Sequence, residues 1–255
     1  MVDSGNQSKM VAINFALLIP ALLLLVNLAT AAQTASLTSD NSDWWSTLVK
    51  YDHLNLSASK TNTQNRMPAS SNFEIAGVVA GINQIQKLAA EIGKANLVRR
   101  GDGAYSRSQV WYSSTDNSHE VHLVFEESGG GDSYSFYLFE GGPHWNGSDL
   151  CMVSPRVSLG LQTGSGLHLG QTISQVRSIL GRPSTDLRDK LVYVYEVKRR
   201  TKTSDLEKMR RADPKLSDKD LHESFDFTYF IAYIEASFVD SKLSYLAVTK
   251  SETYP

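Results

Sequence analysis

GLHLGQTISQVRSILGRP, residues Gly166–Pro183, specifies a short helix together with both of its ends. Thr172 with Gln175 three residues on has the form of a capping box: the hydroxyl accepts the Gln175 N–H and the amide side chain reaches back to the Thr172 N–H. Ile173, Val176, Ile179 and Leu180 then recur at helical spacing and make one apolar stripe. Gly181 stands where a left-handed C-terminal residue is wanted, and Pro183 forbids continuation. A helix this short is marginal alone in water, so its stripe must be buried on other structure. Strand-like runs at Leu191–Val197, Phe225–Val239 and Leu243–Thr249 offer that surface.

Working backwards, the stretch from Ile75 to Ile92 carries a second helical pattern through Ile82, Ile85, Leu88, Ala89 and Ile92, ended by Gly93. Ile85, Leu88, Ile92 and Gly93 match Ile173, Val176, Leu180 and Gly181 at a constant offset, and a basic residue follows each, Lys94 and Arg182. An aromatic-bearing strand comes after each helix, Val110–Tyr112 and Tyr193–Tyr195. Strands Val121–Glu126 and Tyr134–Phe139 join across SGGGDS, and Ile231–Val239 and Leu243–Thr249 across DSK. The fold class expected is therefore α+β, two tandem helix-on-antiparallel-sheet repeats of two layers each, over 73–155 and 156–255. Alternation in Val121–Phe125 predicts that each sheet keeps one wet face.

The 255 residues leave room for a real core, and the formal net charge of −2 excludes a global basic footprint for nucleic acid. Val11–Ala32 is strongly apolar, and Ala29-Thr30-Ala31 fits a cleavage site, so residues 1–32 read as a secretory signal peptide. The run is also long enough for a retained N-terminal membrane anchor. Either way the expected location is exported, periplasmic or extracellular. Residues 33–72 form a polar arm and linker holding a short helix with Trp44 and Trp45.

No motif supplies a clear reaction. In His119-Glu120-Val121-His122 the two imidazoles stand three apart on a strand and point to opposite sides, which is wrong for a metal site. The glycine-rich segments lack the context of phosphate-binding loops, and no cofactor is implied. The loop from His144 to Cys151, which also holds Asp149, is the one place where a nucleophilic arrangement can be imagined. Cys151, the only cysteine, lies between Leu150 and Met152 at the start of an apolar run, which favours a buried, inert thiol. The insertion 198–223 holds nine Lys or Arg against six Asp or Glu and reads as a long exposed excursion. Its Lys198, Arg199, Arg200, Lys202, Arg210 and Arg211 are the candidate contact surface, for anionic lipid heads or cell-wall polymers.

GLHLGQTISQVRSILGRP, followed by LVYVYEV and YIEASFVDSKLSYLAV, resembles the BamE (SmpA/OmlA) small envelope-lipoprotein family, and is similar to the repeats of the β-lactamase inhibitory protein family. Gly170, Thr172, Val176, Leu180, Gly181, Pro183, Phe238, Asp240 and Leu243 carry the likeness, over roughly the last 90 residues. The resemblance implies a two-layer α/β unit in an exported protein that binds other proteins and is not an enzyme. This chain lacks the family's lipidated cysteine, and its charged insertion has no counterpart in the family pattern.

The function expected is an exported, non-catalytic protein-binding or envelope-associated module whose partner is another envelope protein. The alternatives are a hydrolase-type enzyme in the His144–Cys151 loop and a membrane-anchored structural protein using Trp44, Trp45 and the basic excursion.

Overall fold

Helix Ile173–Leu180 forms with the ends its sequence specifies. The Thr172 hydroxyl accepts the Gln175 N–H at 3.3 Å, and Gln175 Oε1 accepts the Thr172 N–H at 2.8 Å. Gly181 ends it at φ 83°, a conformation costly for any residue with a Cβ. The computed structural model describes residues 63–81, 84–103, 106–116, 120–128, 133–141 and 150–253. The export segment, Trp44, Trp45, Ile82, His119, residues 129–132 of the SGGGDS turn, His144 and Asp149 lie outside the described residues.

In chain order the elements are β1 (Glu74–Ile75), β2 (Val78–Val79), α1 (Gln84–Ile92), β3 (Val98–Arg100), β4 (Arg107–Ser113), β5 (Val121–Ser128) and β6 (Ser133–Glu140). There follow β7 (Met152–Val153), α2 (Ile173–Leu180), β8 (Thr185–Leu187), β9 (Lys190–Arg200), α3 (Thr203–Ala212), α4 (Asp218–Phe225), β10 (Phe227–Val239) and β11 (Lys242–Thr253). Asp240 and Ser241, at φ 49° and 64°, make the two-residue turn between β10 and β11. Positive φ at both central positions matches the right-handed twist of the paired strands.

The expected fold class is corrected here: the chain is β-rich and mostly antiparallel sheet, and does not form two helix-on-sheet repeats. One nine-stranded sheet runs in the order β3-β4-β5-β6-β11-β10-β9-β8, with β7 parallel to β4. β6, the last strand of the first anticipated unit, pairs with β11, the last strand of the second, from Phe139↔Tyr245 to Ser251↔Ser133. Two separate sheets would have left both strands as open edges with unpaired backbone groups, and joining them satisfies those groups.

A second correction concerns the start of the first helix. Ile75 and Val78 lie in a β1–β2 hairpin turned by Ala76 and Gly77 (φ 52° and 77°), and α1 begins at Gln84. Its first N–H groups are capped from across the sheet, because Glu127 Oε1 on β5 accepts the N–H of Gln84 at 2.7 Å and of Ile85 at 3.1 Å. Leu88, Ile92, Val176 and Leu180 are buried on one face of the sheet, with Ile85, Ile173 and Ile179 partly buried against the same core. Tyr112 and Tyr193 join this core and donate their hydroxyls to the carbonyls of Gly93 and Gly181, just beyond the ends of the two helices.

Candidate functional site

Strand alternation sends the remaining side chains to the second face of the sheet, and cross-strand register sets them in rows. One row reads Ser113, His122, Phe139, Tyr245, Ser237 and Lys190; the next reads Trp111, Val124, Tyr137, Ala247, Glu235 and Val192. The expected wet face is not found over the middle of the sheet: Trp111, His122 and Val124 are as fully buried as the core. Polar groups on this face are held in pairs. Glu126 accepts from Arg107 and from Gln109, both at 2.5 Å. Glu235 takes Lys190 at 2.7 Å, Tyr233 at 2.6 Å and Ser237 at 3.0 Å. A buried carboxylate that lost these partners would be costly, so both clusters fix strand register.

Exposure returns where β9, β10 and β11 run on beyond β6. There Phe227 is 38% exposed and Ile231 39%, with Tyr229 half-buried between them on β10. Glu196, Lys198 and Arg200 of β9 stand beside these residues in register and are exposed. The Lys198 ammonium lies 4.2 Å from the Phe227 ring centre and 5.4 Å from that of Tyr229. The patch is therefore aromatic, aliphatic and cationic, on a backbone held by paired strands.

The six cations read from the sequence are thus divided. Lys198 and Arg200 lie on this patch. Arg199 points to the opposite face and pairs with Glu252. Lys202 stands exposed at the start of α3, while Arg210 pairs with Asp218 and Arg211 with Glu207 at 3.8 Å. Lys208 with Asp205 and Lys219 with Glu223 complete a self-paired, exposed excursion in which α3 buries no residue and α4 buries only Leu221. Such exposed pairs add little stability. Thr201 and Thr228, bonded hydroxyl to hydroxyl at 3.1 Å, close the base of the excursion.

Cys151 meets an imidazole, but not the one anticipated. Its Sγ lies 3.7 Å from Nδ1 of His122, and Glu120 Oε1 lies 3.5 Å from the other ring nitrogen. Gly141 packs so closely on that nitrogen that a Cβ there would come within 2.5 Å of it. Burial pushes the Cys151 thiol up to about 12, with the Glu120 carboxylate adding to the rise. Burial alone pushes the His122 imidazole down to about 4. At neutral pH both groups are uncharged, whereas a cysteine nucleophile needs a thiolate. Strand alternation placed His122 on the second face, but no local signal foretold the return of Cys151 beneath it. Nor did the sequence reading anticipate Phe227, Tyr229 and Ile231 as an exposed group.

Among the described residues no cluster of three or more His, Cys, Asp or Glu could hold a metal ion, and no helix is long and apolar enough to cross a membrane. No family model matches this chain, and neither a curated protein nor a solved structure is significantly similar to it.

Proposed function

We propose that this chain is an exported, non-catalytic protein-binding module whose partner docks on the Phe227–Tyr229–Ile231 patch. The signal-like run Val11–Ala32 supports export, either with cleavage near Ala31 or as a retained membrane anchor, into the periplasm or beyond the cell. The observation that carries the binding reading is the patch itself: large apolar side chains left open beside Lys198 and Arg200 on a rigid sheet. Aromatic residues and arginine are the side chains over-represented at the energetic centres of interfaces. A sheet-borne patch also loses little conformational freedom on binding. The likeness to the BamE family points the same way, toward a partner protein.

The test is capture from an envelope extract by the full-length chain and by variants Phe227→Ser and Ile231→Asp. The reading expects a partner that the full-length chain retains and both variants release. Equal capture by all three, or none by any, contradicts it.

A second reading, a hydrolase centred on Cys151, has one observation in its favour, the 3.7 Å approach to His122 with Glu120 behind it. Its requirement is a thiolate at neutral pH, and desolvation of the half-buried thiol and the buried imidazole works against that.

A further inference from the structure

We propose that the outer edge of β9 at Glu196–Arg200 receives an extended, acidic segment of a partner protein as an added strand. This rests on the protein-binding reading above and names how the partner is held.

The inner edge of β9 pairs with β10 along its whole length, from Ser237↔Lys190 to Phe227↔Arg200. Its outer edge is covered only in part. β8 covers Lys190–Val192. Beyond it the Ser184 N–H bonds Val192 O at 2.8 Å, the Gln64 N–H bonds Val194 O at 2.9 Å, and the Glu196 N–H bonds Gln64 O at 3.2 Å. All these outward bonds fall on even-numbered residues of β9. The same alternation turns Glu196 C=O, Lys198 N–H and C=O, and Arg200 N–H outward, and no described residue bonds them. A row of unpaired donors and acceptors on an exposed strand is a template for one more strand.

Charge selects the occupant. Glu196, Lys198 and Arg200 project from one face of this edge and Lys202 follows at its end, a surplus of cations, whereas Arg199 is already paired on the other face with Glu252. In a second copy paired antiparallel about Lys198, Glu196 would face Arg200 but Lys198 would face Lys198, so the surplus of cations on this edge would stay unmatched. An acidic strand would set carboxylates beside Lys198 and Arg200 while its backbone completes the ladder. Main-chain bonds then give affinity, and the alternate side chains give selectivity.

The probe is a fluorescein-labelled octapeptide of alternating glutamate and valine, read by anisotropy against the full-length chain in non-ionic detergent. It should bind, and a lysine–valine peptide should not. Lys198→Ala and Arg200→Ala remove charge and keep the outward N–H, so they should weaken binding a few-fold. Lys198→Pro and Arg200→Pro also remove that N–H, which an edge strand tolerates, and should weaken it by about tenfold more than the alanine variants. A peptide N-methylated throughout serves if a proline variant fails to fold, and it should not bind. Equal affinity for alanine and proline variants, binding of the N-methylated peptide, absence of binding by the parent peptide, or self-association through this edge would each overturn the proposal. If capture through Phe227 and Ile231 persists in that case, strand addition alone fails. If capture is lost too, the protein-binding reading fails with it.

Discussion

The ammonium of Lys198 rests 4.2 Å above the ring centre of Phe227. The cation screens an aromatic ring that would otherwise face water, and it does so across neighbouring strands in a fixed register. Lys198→Ala is expected to cost under about 1 kcal/mol of stability, the usual value of an exposed cation–π contact. Phe227→Ser and Ile231→Asp should each cost only about 1–2 kcal/mol, since both side chains are partly solvated already. Urea unfolding of the three variants checks this, and a large loss in any of them would mean that the patch is structural.

The two sheet-packed helices are capped by different means, and the caps should be separable. Thr172→Ala removes a local capping box and should cost about 1 kcal/mol. Glu127→Ala removes the acceptor for two N–H groups of α1 and should cost about 1–2 kcal/mol. Denaturant melts of the two single variants and the double variant should show additive losses, because the sites share no partner.

This contrast shows what was legible in the sequence. Thr172 and Gln175 are three residues apart, so the start of α2 could be read directly. Glu127 lies 43 residues from Gln84, and only the folded sheet brings them together. The hairpin at Ala76 and Gly77 is hidden in the sequence because Ile75 and Ile82 share a helical period with the real helix. Alternation in β5 assigned His122 and Val124 to one face, yet whether that face is wet depends on what packs there, and no strand encodes that by itself. The same limit applied to the candidate site. A run of cations marks a charged stretch, but strand register decided that Lys198 and Arg200 join an aromatic patch while Arg199 turns away to Glu252.

His122 should make stability fall at mildly acid pH. Burial lowers its folded value to about 4, against about 6.5 for an unfolded imidazole. Between those values the unfolded chain takes up a proton that the folded chain refuses, so stability is lost as pH falls through this window and levels off below it. The loss is at most about 3 kcal/mol. Urea titrations between about pH 7 and 4 on the natural chain and on His122→Gln test it. The stability difference between the two should shift in favour of the variant as pH falls, and a constant difference would be the contrary result.

Cys151 should alkylate slowly while the chain is folded. With its thiol pushed up to about 12, very little thiolate exists at neutral pH. Iodoacetamide at about pH 8 is expected to react at least about a hundredfold faster after unfolding in urea. A folded chain labelled as fast as the unfolded one would revive the nucleophile reading.

The account depends most on the seam where β6 meets β11, because that seam turns two anticipated sheets into one. Nuclear Overhauser contacts between backbone protons of Phe136 and Val248, and of Tyr137 and Ala247, test it most directly. The continuous sheet predicts cross-strand contacts at these pairs as strong as those between β5 and β6. Their absence, with contacts inside each half intact, would mean two separate sheets and would contradict the account.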